Sequence, residues 1–205
     1  MKIKDKYRVS SINARDTHDW LLNKHYAKRI PSISWAFGLF DETLQGVCTF
    51  GKPASPPLCV GICGADNSSK VYELNRLVIN EWCEKNTASF FISNCLKKLP
   101  KNLILVSYAD TGMEHIGKVY QATNWIYTGA TVERTDIGTD TGTHPRHYDK
   151  SIDYTKNRVF RSSKHRYVYF TGKKYDLNYP VMPYPKGESK RYDASYNPQV
   201  QATLF

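Results

Sequence analysis

Residues 102–109, NLILVSYA, are the most hydrophobic strand candidate in the chain, and a run of this kind suits the centre of a sheet. Asp110 stands at its C-terminal end. The preceding segment TASFFISNCLKKLP sets Phe90, Phe91, Asn94 and Cys95 at helical spacing. It carries Lys97 and Lys98 where a helix end favours positive charge, with Pro100 just beyond. A further helix is predicted from Glu114 or His115 to about Ala122, ahead of Trp125, Ile126 and Tyr127. Strand and helix therefore alternate through the middle of the chain, which points to the α/β class.

Upstream, residues 6–13 read as a short strand and a helix begins near Asp16 or Thr17, with Trp20, Leu21 and Leu22 as its apolar face and His25 and Tyr26 in its last turn. Pro31 ends it. Residues 33–41 and 46–50 flank ETLQ as a hairpin, and GKPASPPLCVGICGADNSS reads as a long surface loop. Residues 71–79, VYELNRLVI, restore alternation. Simple period two puts Tyr72, Leu74, Arg76 and Val78 on one face and Val71, Glu73, Asn75 and Leu77 on the other. RYVYFT at 166–171 is another strand.

A chain of 205 residues at 40% hydrophobic and 23% charged is long enough for a real core, and its composition excludes wholesale disorder, collagen and coiled coil. The apolar clusters after residue 130 are too few for a second core, so the expectation is one domain over 1–178 with an arm or tail at 179–205. No apolar stretch suits a membrane span, and the start MKIKDKYRVS lacks the apolar block of a secretory signal, so a cytoplasmic protein without a membrane partner is expected. The five cysteines lack the paired spacing of a zinc ribbon and read as small buried hydrophobes, and no metal-ligand set is legible.

Lysine plus arginine exceeds aspartate plus glutamate by 29 to 19, a net +10 that favours polyanionic partners. The excess is local: residues 144–191 hold 12 basic and 4 acidic residues, against 17 and 14 in residues 1–143. In THPRHYDK and RVFRSSKHRYVYF, cations for phosphates alternate with rings able to stack on bases. Arg146, Lys150, Arg158, Arg161, Lys164 and Arg166 are the candidate nucleic-acid contacts, the alternative being a solvated basic face around ordinary strands.

No dinucleotide-binding, P-loop, hydrolase-elbow, zincin or deaminase motif occurs. What remains is a set of single residues. Arg76, embedded in a strand, needs a carboxylate, carbonyl or phosphate if its face is buried, and Glu73 is one structural partner. Asp110 ends a strand where open α/β sheets bind ligands, and it serves equally as a cap. His25 with Tyr26 offers an imidazole and a phenol, or a helix cap. Tyr120 and Tyr127 offer phenols for proton transfer, stacking or core filling, while Thr87, Ala88 and Ser89 begin a helix whose free amides attract phosphate.

Taken together, HYAKRIPS at 25–32, ELNRLVI at 73–79, TASFFI from 87, LVSYAD at 105–110 and GKVYQATNWIYTG at 117–129 resemble the bacteriophage Mom DNA-modification family, a divergent branch of the GNAT acetyltransferase-like fold. The resemblance covers roughly residues 20–130. It implies a single GNAT-like domain, a central mixed sheet flanked by helices with a basic C-terminal elaboration. The implied enzyme adds a carbamoylmethyl group to adenine N6 in DNA, protecting phage DNA from host restriction in the host cytoplasm. His25, Tyr26, Arg76, Asp110 and Tyr120 then match the catalytic positions, and Ser89, with Thr87 and Ala88, the cofactor contact. The implied donor is acetyl-CoA or another activated small molecule, although NEWCEKNTAS lacks the glycine-rich pyrophosphate loop typical of GNAT enzymes. Competing readings are a GNAT N-acetyltransferase of a protein or small amine, a non-enzymatic DNA-binding protein and, more weakly, a nuclease.

Overall fold

The computed structural model describes residues 2–137 and 158–190; THPRHYDK, with Arg146 and Lys150, lies outside them. After a short helix α1 (Ile3–Lys6), seven strands build one mixed sheet: β1 (Arg8–Ser11), β2 (Trp35–Asp41), β3 (Thr43–Gly51), β4 (Val71–Ile79), β5 (Ile104–Asp110), β6 (Ile126–Ala130) and β9 (Lys164–Phe170). Their spatial order is β1-β2-β3-β4-β5-β9-β6. Only β4 and β5 pair in parallel; every other neighbour is antiparallel. A separate two-stranded ribbon, β7 (Arg134–Ile137) with β8 (Arg158–Arg161), interrupts the connection from β6 to β9.

The expected β2/β3 hairpin forms with a tighter turn, since pairing continues to Asp41 opposite Thr43 and Glu42 takes φ 60° between them. The expected long loop after Gly51 instead contains α2 (Pro56–Cys63). Its signals are Pro56 and Pro57, whose missing N–H groups cost nothing in a first turn, and Gly64 at φ 82° just past the end. The helix expected from Asp16 is a 3-10 turn (Ala14–Thr17) running into a π turn (Trp20–Lys24). That expected near Ala122 shrinks to α4 (Lys118–Gln121), entered through Gly117 at φ 77°, where a Cβ would run into the Tyr167 ring.

Helix α3 (Thr87–Lys98) forms as its periodicity predicts and buries Phe91, Ile92 and Cys95 against one sheet face with Phe37, Phe50, Leu74, Leu105 and Trp125. The opposite face carries two separate apolar clusters. Trp20 and Leu21 pack on Phe40, Val47 and Val78, while Ile62 and Cys63 of α2 pack on Val71, Ile104, Val106 and Val168. All five cysteines are free, and all but Cys59 are buried. No helix among the described residues is long and apolar enough to cross a membrane.

The alternation of β4 is broken by one extra residue. Thr49 lies opposite Arg76 but the next residue of β3, Phe50, lies opposite Leu74, so Asn75 bulges. The Asn75 amide is satisfied there, accepting from the Thr49 hydroxyl at 2.6 Å and donating to the Ser32 carbonyl at 2.8 Å. Beyond a bulge the facing of side chains resets. Val71, Glu73, Arg76 and Val78 consequently share the face of the two clusters while Leu74 packs under α3, which corrects the expectation that Glu73 and Arg76 point opposite ways.

Past β9 the chain runs without regular structure through residues 173–190, held by backbone bonds from Asn178 to Ile62 and from Met182 to Tyr127. The second covers the outer edge of β6, which would otherwise expose unpaired strand groups.

Candidate functional site

Strands β4 and β5 pair only where Val71–Glu73 meet Ile104–Val106, and then part. In the gap the Ser107 hydroxyl bridges the Leu74 carbonyl and the Tyr120 hydroxyl, at 2.8 Å each. The parted strands border a cleft of about 1740 Å³. His25, Tyr26, Glu73, Arg76, Asp110 and Tyr120 all line it. Along β4 the apolar ends, Val71 and Val78, belong to the two flanking clusters, so the charged middle of the strand forms the floor between them.

The π turn fixes the first of these groups. Its wide backbone bond, from His25 N to the Trp20 carbonyl at 2.9 Å, ends the helix and turns His25 inward, 7% exposed. The Ala27 amide donates to His25 Nδ1 at 3.0 Å, so the proton of the neutral imidazole sits on Nε2. Burial, with Arg76 and His115 nearby, drives its pKa down to about 3. The Tyr26 ring stacks on His25 at 4.4 Å and meets His115 edge-on at 6.0 Å. Burial, reinforced by Asp110, pushes the Tyr26 phenol up to about 12. Both groups therefore present a hydrogen-bond donor at neutral pH, the neutral imidazole through Nε2–H and the phenol through its hydroxyl.

Arg76 is 9% exposed and donates Nη1 to the Asn75 carbonyl at 2.6 Å, whereas its buried Nε and Nη2 have no partner among the described residues. A buried guanidinium with two idle donors is costly unless a ligand completes it. Burial first, then Arg29, disfavours its charge. Glu73, on the same floor, makes no hydrogen bond or ion pair among the described residues. Desolvation raises its pKa despite the opposing pull of Arg76, Lys164 and Arg29. Sequence reading noticed Glu73 only as a partner for Arg76, because a bulge is not visible in side-chain alternation.

Asp110 is engaged on every side. Its carboxylate accepts from Lys164 Nζ at 2.6 Å, from Ser162 Oγ and from the Gly112 amide at 3.0 Å. Burial alone would raise its pKa, but Lys164 and Ser162 outweigh it and hold the group below the ordinary carboxylate range. The capping description and the cleft description thus both apply. Tyr120 contributes the hydroxyl held by Ser107, its phenol kept protonated by burial. Tyr127 bonds His165 at 2.8 Å.

The three helix-start residues separate. Ala88 lines the cleft, Thr87 is buried with its hydroxyl unpartnered among the described residues, and Ser89 lies outside. The Ser89 hydroxyl folds back onto the Asn86 carbonyl at 2.9 Å, and the residue borders a different depression with Lys2 and Phe90. That corrects its assignment as the contact inside the cleft. In the loop before α3, Glu81 and Glu84 are neutralised by Lys24 and Lys6, both at 2.6 Å, and Lys85 also faces the cleft. Lys85 and the first-turn amide of Ala88 are thus the groups suited to a phosphate-bearing end of a donor such as acetyl-CoA, and Arg76 to its anionic or carbonyl end.

The described basic residues have internal partners. Arg166 stacks on the Tyr179 ring at 3.4 Å and donates to the Thr128 hydroxyl and carbonyl, which ties the C-terminal arm to the sheet. Lys164 holds Asp110, and Arg158 donates to Thr135. Arg161 reaches Asp136 at 3.9 Å. Among the described residues no group of three His, Cys, Asp or Glu is arranged to hold a metal.

Solved structures similar to the chain include an N-acetyltransferase from Staphylococcus aureus Mu50, at 14% identity over 80% of this chain and 98% of that one with TM-score 0.49. An acetyltransferase of the GNAT family from Bacillus cereus matches at 12% identity, 80% and 96% coverage and TM-score 0.45. A putative acetyltransferase from Salmonella typhimurium, crystallised with acetyl-CoA, matches at 8% identity, 83% and 96% coverage and TM-score 0.49. No curated protein matches the sequence. The model of the Mom protein family matches residues 6–186, nearly the whole span from β1 to the end of the described arm, and the chain belongs to that family.

Proposed function

We propose that the protein modifies DNA by transferring a carbamoylmethyl group to the exocyclic N6 amine of adenine, a mark that protects phage DNA from host restriction. The observation that carries the reading is the meeting, on one cleft floor, of a buried guanidinium at Arg76 with two donors that are idle among the described residues and a Glu73 carboxylate that makes no hydrogen bond or ion pair among them. Family membership supports it, because that chemistry is what the Mom resemblance implies.

Adenine N6 lends its lone pair to the ring and is a poor nucleophile, so transfer needs alignment and an acceptor for the departing proton. Asp110 is occupied by Lys164 and Ser162, and the accepting nitrogen of His25 is occupied by Ala27. Glu73 keeps an available carboxylate of raised basicity and takes the N6 proton. A bound donor carrying the carbamoylmethyl group on a leaving group would supply an electrophilic methylene carbon, the N6–CH2 bond forming as the bond from that carbon to the leaving group breaks. Nε and Nη2 of Arg76 donate to its oxygen, with the charge of Arg29 beside them. The Tyr26 hydroxyl is the proton donor for a leaving group, the neutral His25 Nε2–H gives it a hydrogen bond, and the stacked rings of the pair offer a face to the purine.

Mass spectrometry of nucleosides from cells expressing the full chain tests the reading. The expected product is deoxyadenosine heavier by one carbamoylmethyl group, reduced by about 100-fold or more in Glu73→Gln, with DNA retention in a filter assay unchanged. Unmodified adenine with the wild-type chain, or full modification by Glu73→Gln, rejects it.

A further inference from the structure

We propose that the β7/β8 ribbon is a wedge for duplex DNA: Phe160 enters the base stack where the target adenine leaves it, and Arg134, Arg158 and Arg161 hold the flanking phosphates. This rests on the adenine reading above and names how that substrate is reached.

The ribbon stands at the mouth of the cleft, which Val132, Arg134, Thr135, Phe160 and Arg161 line together with the catalytic candidates. It exposes apolar surface in an otherwise polar setting. Phe160 is 62% exposed and Val132 86%, and neither belongs to any of the three core clusters. A phenyl ring held in water on two strands gains no stability from its position. Around it the described ribbon sets three arginines against one acid, Asp136, with Glu133 just before β7, in a chain of net +10. The side chain of Arg134 is 74% exposed and that of Arg161 44%. Apolar wedges flanked by cations are how proteins part base steps while gripping the backbone.

A wedge needs a stiff base, and this one has it. Ser162 and Lys164, which follow β8, both donate to Asp110. Thr111 donates to the Ser163 carbonyl at 2.8 Å, and Thr131 and Lys164 exchange two bonds at 2.9 Å. Force on the ribbon is thus borne by the C-terminal end of β5, beside the cleft itself. Adenine inside a duplex is paired and stacked, out of reach of a floor that lies between strands, and a ring filling the vacated place offsets the loss of stacking.

The test uses the full chain and a short duplex with 2-aminopurine at several adenine positions. Fluorescence is expected to rise several-fold at saturating wild-type protein, to fall to near the free-duplex level in Phe160→Ala, and to return largely in Phe160→Leu. Duplex affinity by anisotropy is expected to weaken less than about tenfold in Phe160→Ala, and its melting temperature to stay put because the ring is exposed. Phe160→Ala as bright as wild type overturns the wedge, as does wild-type protein that binds the duplex without any rise. Binding to anionic lipid vesicles with none to duplex also overturns it. Failure of the adenine chemistry reads differently: nucleosides remain unmodified in cells while the fluorescence change persists.

Discussion

The Asp110 carboxylate and the Lys164 ammonium meet at 2.6 Å, across the register position where β5 and β9 pair those same two residues. With Ser162 and the Gly112 amide on the remaining lone pairs, Asp110 is a support for the ribbon rather than an idle base. Asp110→Asn is therefore expected to cost roughly 1–2 kcal/mol, about 3–6 °C in Tm, and to speed protease cleavage in the β7/β8 region. Lys164→Met should do less, and the double variant should fall short of the sum. Thermal melts and timed proteolysis of the four proteins check this.

Arg76→Met is expected to abolish adenine modification while leaving Tm unchanged or slightly higher. Replacing a buried cation that has two idle donors removes a desolvation cost and fills the same space with an apolar chain. A large loss of stability in this variant, measured by calorimetry, contradicts the idea that the guanidinium awaits a ligand.

His25 sets an acid limit on the fold. Its folded pKa of about 3 lies below the ordinary 6.5, so the unfolded chain binds the proton first. Its contribution is complete above pH 6.5 and is lost as pH falls toward 3, on the order of 1 kcal/mol per pH unit. Urea melts from pH 7 to pH 4 should show that slope, flattened in His25→Gln. Nitrogen NMR of the wild type should find the proton on Nε2, as the Ala27 contact requires.

Arg166 and Arg134 sit in one basic region and are expected to behave differently. Arg166→Ala loses the Tyr179 stack and both Thr128 bonds, so Tm should drop by several degrees. Arg134→Ala should leave Tm within about a degree and reduce the salt dependence of DNA binding by roughly one unit of slope. Equal Tm losses in the two variants would speak against the division.

Elements with a strong periodic signal were legible in the sequence: α3 begins at Thr87 and ends at Lys98 as its apolar spacing and terminal lysines require, and β5 carries Asp110 at its end. The candidates His25, Tyr26, Arg76, Asp110 and Tyr120 do share one cleft. Their roles were less legible, because roles depend on partners from distant strands. Nothing near Asp110 in the chain announces Lys164, and nothing in HYAK announces that a π turn will hand the Ala27 amide to His25. The Ser55-Pro56-Pro57 start and Gly64 stop of α2 were readable and were masked by the Pro and Gly content of the segment. Ser89 follows a helix start as expected, but the rotation of α3 carries its side chain away from the cleft.

The bulge at Asn75 makes the cleft a matter of parity. Were Asn75 paired in ordinary register instead of bulged, strict alternation with Arg76 held in place would send the Glu73 carboxylate under α3, among Phe50 and Phe91, without altering the identity of any charged side chain. The chemistry of the floor therefore depends on where β4 bulges as much as on which residues it contains.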